Sequence, residues 1–161
     1  MLIKMSVKNL TLDPLTNMPI IILKNEEGNL VVPIWVGVFE ANAIALELEK
    51  IPTPRPMTHD LMKKIMKKLG VIVSRALITD LKDGTYFAVL EFKTKIKTFT
   101  IDARPSDAIA LALRFDAPIY VEQEVVEKSK AADHGKDQED AEKLKDWLKS
   151  LKPEDFGKYS M

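Results

Sequence analysis

The chain has 161 residues, the size of one domain with or without a tail, and 46% of them are apolar, which supports a buried core and excludes wholesale disorder. Its 24 basic residues balance 24 acidic ones, so net charge supplies no affinity for a polyanion and any nucleic-acid site must come from local clustering. The absence of cysteine excludes a disulfide scaffold, a thiolate zinc site and cysteine nucleophile chemistry.

The opening residues lack the apolar run of a signal peptide, and no stretch approaches the ~18 apolar residues of a membrane span. A cytoplasmic protein with no membrane contact is the expectation. A β-rich run at 2–7 comes first. Two strand-like runs at 19–23 and 30–36 follow, joined by a Gly- and Asn-containing turn that suits a hairpin. A helix then opens near Glu40 and carries NAIALEL at 42–48.

Prolines 52, 54 and 56 lead into a helix at 57–69, ended by Gly70. Its Leu61, Met62, Ile65, Met66 and Leu69 recur at helical spacing, which predicts an inward apolar face with Lys63, Lys64, Lys67 and Lys68 opposite. Next come β-rich runs at 71–78, 86–92 and 96–101, the first two joined through Asp83-Gly84, and then a helix bearing DAIALAL at 107–113. Tyr86, Phe87 and Phe92 offer stacking surfaces, although strand alternation sends one face to the core.

The two similar helices lie 65 residues apart, and each follows three β-rich runs. The expected fold is therefore α+β: a duplicated strand-strand-strand-helix unit (about 1–50 and 71–115) forming a mixed, mostly antiparallel sheet with helices packed on it. Both Ala-rich helices are expected to be largely buried. A short strand at 119–121 and a helical stretch ending near Lys128 close this domain of residues 1–127. Residues 128–161 read as a charged linker and a short amphipathic helix with Leu144, Trp147, Leu148 and Leu151 on one side. Trp147 and Phe156 suggest that this helix docks on the body or on a partner chain.

The residues with chemistry cluster at helix entrances. RPMTHD at 55–60 and DARPSD at 102–107 each place an Arg-Pro pair, a hydroxyl and a carboxylate at a helix start. Capping explains Thr58 and Ser106, and the dipole explains the acidic residues. Neither explains Arg55 or Arg104, which at the positive end of a helix want Glu40, Asp60, Asp102, Asp107 or a bound phosphate as partner.

These motifs carry a resemblance. DARPSDAIALA at 102–112, with PIWVG at 33–37, EANAI at 40–44, RPMTHDL at 55–61 and PIYV at 118–121, is similar to the signature of the bifunctional nuclease domain family, in order over about residues 1–127. The resemblance implies a nuclease acting on DNA and RNA without strong sequence preference, and a β-rich fold that self-associates into a homo-oligomer.

Chemical inference then assigns roles. Glu40, Asp60, Asp102 and Asp107 form a carboxylate set for Mg²⁺ or Mn²⁺ if the helix entrances converge, with no organic cofactor expected. Arg55, Thr58, Arg104 and Ser106 would hold phosphate oxygens. His59 is the general acid or base, its alternative being a surface or capping histidine. Lys63, Lys64 and Lys67 would track a nucleic-acid backbone, their alternative being a solvated helix face. Two non-enzymatic readings stand beside the nuclease: an oligomeric binding or scaffold module, and a small-anion or nucleotide sensor.

Overall fold

The structure is a computed structural model, described here for residues 1–134. Seven strands and four helices follow one another as β1 (Leu2–Leu12), β2 (Pro19–Asn25), β3 (Val31–Trp35), α1 (Val38–Leu48), α2 (Thr58–Lys68), β4 (Ile72–Lys82), β5 (Thr85–Lys93), β6 (Thr98–Ala103), α3 (Pro105–Arg114), β7 (Ile119–Glu122) and α4 (Gln123–His134). All the strands share one sheet in the order β3-β2-β1-β7-β4-β5-β6. Every pairing is antiparallel except β4 with β7. The expected α+β class and mixed, mostly antiparallel sheet are thus observed.

Each half of the chain runs strand, strand, strand, helix, and β7 joins the two three-stranded meanders at the middle of the sheet. Turn chemistry fixes the register. Between β4 and β5, Asp83 and Gly84 both take positive φ (50° and 77°), the two-residue turn whose twist matches a hairpin. Between β2 and β3, the Asn25 side chain accepts from the Leu30 backbone N–H at 2.9 Å, and Gly28 turns with φ 75°.

The core lies between sheet and helices. Ile21, Leu23, Val32 and Ile34 from one meander and Ile78, Ala88 and Leu90 from the other are buried beneath Ile44 of α1 and Ile109 and Leu111 of α3. Helix α3 packs on β4, β5 and α1; its alanines 108, 110 and 112 are fully buried, which lets backbones approach closely.

Three expectations change. Helix α1 buries only Ala41, Ile44 and Ala45, while Val38, Phe39 and Leu48 face outward. Helix α4 continues past Lys128 to His134, because Val125, Val126 and Ser129 are buried along it. The largest change is in α2. Leu61, Met62, Ile65 and Leu69 are exposed, whereas His59, Asp60, Lys63 and Met66 are the less exposed positions. Those four recur at i, i+1, i+4 and i+7, so α2 is turned by roughly a third of a circle from the orientation its apolar stripe suggests. The C-terminal helix expected around Trp147 and Phe156 lies outside the described residues.

Candidate active site

The starts of α1, α2 and α3 converge on a groove of about 1190 Å³. Its apolar wall comes from Leu46, Met62, Ile65, Met66, Phe92 and Phe99, and its polar end from Glu40, Thr58, His59, Asp102, Arg104 and Asp107. Phe92 and Phe99 stack with ring centroids 5.5 Å apart. Phe92 belongs to the core, and on the same strand Phe87 points outward, as alternation along β5 requires.

Arg104 is the N-cap of α3, immediately before Pro105 at the first helical position. Its Nε donates to Asp107 Oδ2 at 2.8 Å, and its NH1 donates to Glu40 Oε1 at 2.9 Å. The guanidinium therefore offsets its own unfavourable place at a helix N-terminus by bridging carboxylates in the first turns of two helices. Both partners push the Arg104 pKa up, Asp107 foremost. Gly37 makes room for this: a Cβ there would collide with the Glu40 carboxylate.

Asp107 also meets α2. Its Oδ1 lies 2.9 Å from His59 Nε2, while His59 Nδ1 is buried without a hydrogen-bond partner. Burial raises the Asp107 pKa, but the bonds from Arg104 and His59 outweigh it and hold the carboxyl below its usual range. Glu40, Arg104, Asp107 and His59 thus form one continuous chain across three helices.

Asp60 is drawn elsewhere. Its Oδ1 accepts from Arg114 Nε at 2.7 Å, and its Oδ2 accepts from the Met57 backbone N–H at 3.0 Å, closing the start of α2. Burial opposes its ionisation, yet Arg114 and that N–H lower its pKa. Arg114 is buried, and its remaining N–H groups donate to the carbonyls of Ala110 (3.0 Å) and Ala43 (2.9 Å), so one side chain ties α1, α2 and α3 together. Sequence reasoning missed this residue. The available signal was its place at i+4 from Ala110 on the buried face of an otherwise apolar helix.

Lys63 also turns inward: its Nζ donates to the Arg114 carbonyl at 2.6 Å and lies 5.7 Å from the centroid of the Phe115 ring. Lys64 and Lys67 are exposed. Arg55 is exposed and has no ion pair among the described residues. Neither hydroxyl caps its helix. Thr58 and Ser106 already lie inside helices whose N-caps are Met57 and Arg104. Ser106 is buried and lines a second cavity of about 460 Å³ with Trp35, Phe87, Asp102 and Arg104.

Of the four carboxylates expected together, Glu40, Asp102 and Asp107 line the groove, and Asp60 does not. Among the described residues no group of three His, Asp or Glu side chains stands close enough to hold a metal ion. The Arg104 guanidinium lies where a cation between Glu40 and Asp107 would go. As arranged, these residues do not fit a resident divalent ion.

A seven-stranded mixed sheet bearing an Arg-Asp-His constellation at a helix entrance defines the class: an α+β protein with a polar site beside an apolar groove. Residues 21–134 match the family model of the bifunctional nuclease domain, and the chain belongs to that family. An uncharacterized protein of Mycobacterium tuberculosis is 40% identical over 149 residues, 87% of this chain and 89% of that one. Bifunctional nuclease 1 of Oryza sativa subsp. indica is 32% identical over 110 residues, which is 65% of this chain but 33% of the plant protein. Bifunctional nuclease 1 of Arabidopsis thaliana is 32% identical over 108 residues, again 33% of its length. These matches support a nuclease-family role.

Proposed function

We propose that this protein hydrolyses phosphodiester bonds of DNA and RNA with little sequence preference, at the polar end of the groove. The observation that carries the reading is the convergence of Glu40, Arg104, Asp107 and His59 from three helices at one groove end. Arg104 is 64% exposed on its side chain, so its guanidinium can turn from the carboxylates to a phosphate oxygen. Asp107 holds His59 through Nε2, which leaves Nδ1 to accept a proton from water or return one to the leaving oxygen once substrate opens the groove to it. Asp102 has no ion pair among the described residues and stands as a further acceptor at the groove end. Lys64, Lys67 and Arg55 are exposed cations for the backbone on either side.

Dependence on Mg²⁺ or Mn²⁺ is part of the proposal, in a form the geometry permits. Three carboxylates and one guanidinium give the groove end a net negative charge, which repels an incoming phosphate. A divalent ion that arrives with the phosphate needs only one or two carboxylates from the protein. The test is cleavage of single-stranded DNA, duplex DNA and RNA with each metal and with chelator, beside a folded Asp107→Asn control. Metal-dependent cleavage that the control abolishes is expected; equal cleavage by both proteins would remove Asp107 from the site.

A second reading, an oligomeric binding module, is favoured by the exposed apolar residues of α2. Leu61 and Leu69 are 51% and 73% exposed and lie outside the groove, as an interface between copies would require. A cytoplasmic address remains part of the proposal; among the described residues no helix is long and apolar enough to cross a membrane.

A further inference from the structure

Two cavities meet at Arg104. Asp102, Ala103 and Arg104 line both the groove and the second cavity of about 460 Å³, which continues between the end of β3, the start of β5 and the start of α3. A volume of this order takes one small organic group. Its charge differs from that of the groove end. Among its described lining residues Asp102 and Arg104 offset each other, whereas the groove end sets three carboxylates against one guanidinium.

The start of α3 supplies donors on this side, since Arg104, Pro105 and Ser106 form one wall of the cavity. The first backbone bond of the helix runs from the Ala108 N–H to the Arg104 carbonyl, and no side chain caps its N-terminus. Among the described residues the Ser106 N–H therefore has no acceptor, at the end of the helix where the dipole is equivalent to about half a positive charge. Ser106 carries a second open donor. It is 6% exposed, and among the described residues its hydroxyl makes no hydrogen bond. Its oxygen is nevertheless not sealed off as Thr11 Oγ1 and His59 Nδ1 are, so it opens on the cavity it lines. A buried hydroxyl without a partner is uncommon, and one beside an open helix N-terminus and a guanidinium is arranged for an anion.

We propose that the second cavity binds a phosphate group, the one next along the strand from the phosphate held at the groove end. The Ser106 hydroxyl and N–H donate to its oxygens, and Arg104, shared by both cavities, stands between the two phosphates. Phe87 lines the cavity and is 42% exposed, so it gives the adjoining sugar an apolar surface. Phosphate binding here rests on the start of α3 alone, whereas its place on a nucleic-acid strand rests on the nuclease reading. The consequence is a preference for substrates that carry a second phosphate beside the scissile one.

The test is a set of amide ¹H–¹⁵N spectra of the full chain, recorded with chelator to hold back metal-dependent cleavage. The chain is titrated with the thymidine dinucleotide TpT, with pTpT and TpTp, which carry one more phosphate at either end, and with inorganic phosphate. Expected is a saturable shift of the Ser106 amide with pTpT or TpTp, at an affinity at least about fivefold above that for TpT. Ser106→Ala should reduce that advantage severalfold and leave the thermal melt unchanged, because the hydroxyl has no described partner to lose. Equal affinity for all three dinucleotides, or an advantage that survives Ser106→Ala in full, overturns the proposal. Inorganic phosphate binding as tightly as pTpT and TpTp would make the cavity a free-anion site and overturn its place on a strand. None of these outcomes depends on cleavage, so a protein without nuclease activity can still pass and an active nuclease can still fail.

Discussion

The two ends of α3 carry the same chemistry in opposite surroundings. At its start, Arg104 bridges Glu40 and Asp107 with 64% of its side chain exposed. At its end, Arg114 binds Asp60 and two carbonyls with 3% exposed. An exposed bridge contributes little to stability because water screens it and can replace either partner. A buried guanidinium has no such replacement, so removing it strands its partners. The first arginine is free to change partners and suits a site, whereas the second locks three helices in place so that the site keeps its geometry.

Breaking the lock should have the largest effect. Arg114→Met takes from Asp60 its charged partner and from the carbonyls of Ala43 and Ala110 their bonds to the guanidinium, and should cost about 3 kcal/mol, discounted from the range for buried pairs because Asp60 is partly exposed. Denaturant unfolding measures it, and a loss below about 1 kcal/mol would mean that water satisfies these groups.

Asp107 should show an intermediate effect with a defined pH dependence. Its folded pKa is depressed, so its contribution is present above its unfolded value of about 3.9 and is lost as pH falls through the folded value. Wild type should exceed Asp107→Asn by about 1 kcal/mol at pH 7, and the two should converge in acid. A gap independent of pH between 7 and 2.5 would show that the carboxylate charge is not what stabilises.

The smallest stability effect belongs to Arg104→Ala, within about 1 kcal/mol by thermal melting, because both of its bonds are solvent-accessible. Cleavage should nevertheless fall by at least about tenfold, since the residue left at the groove end cannot hold a phosphate. A large stability loss with activity retained would reverse the roles assigned to the two arginines.

The elements themselves were readable because local signals agree with one another. Alternating β-rich runs, Asp83-Gly84 in the β4–β5 turn and Pro105 at the start of α3 each act over a few residues. The Arg104 bridge was also foreseeable, since an arginine at a helix N-terminus calls for an anion, and Glu40 and Asp107 were among the few on offer. The diversion of Asp60 was not, because it depends on Arg114, 54 residues away in the chain.

Helix α2 draws the boundary most clearly. Its sequence determined that it is a helix and which residues form its apolar stripe, because periodicity is a local property. Which side faces the body was decided by contacts from elsewhere: Asp107 takes His59, the end of α3 takes Lys63, and Arg114 takes Asp60. Three directed polar bonds oriented the helix against its own apolar moment. They turned Met62 and Ile65 into the wall of an open groove, and no pattern within residues 58–68 encodes those partners. Composition and spacing determined the elements and the chemistry at hand, whereas the assignment of each charge to its partner required the whole chain to be folded, because hydrogen-bond geometry is fixed only when both ends are in place.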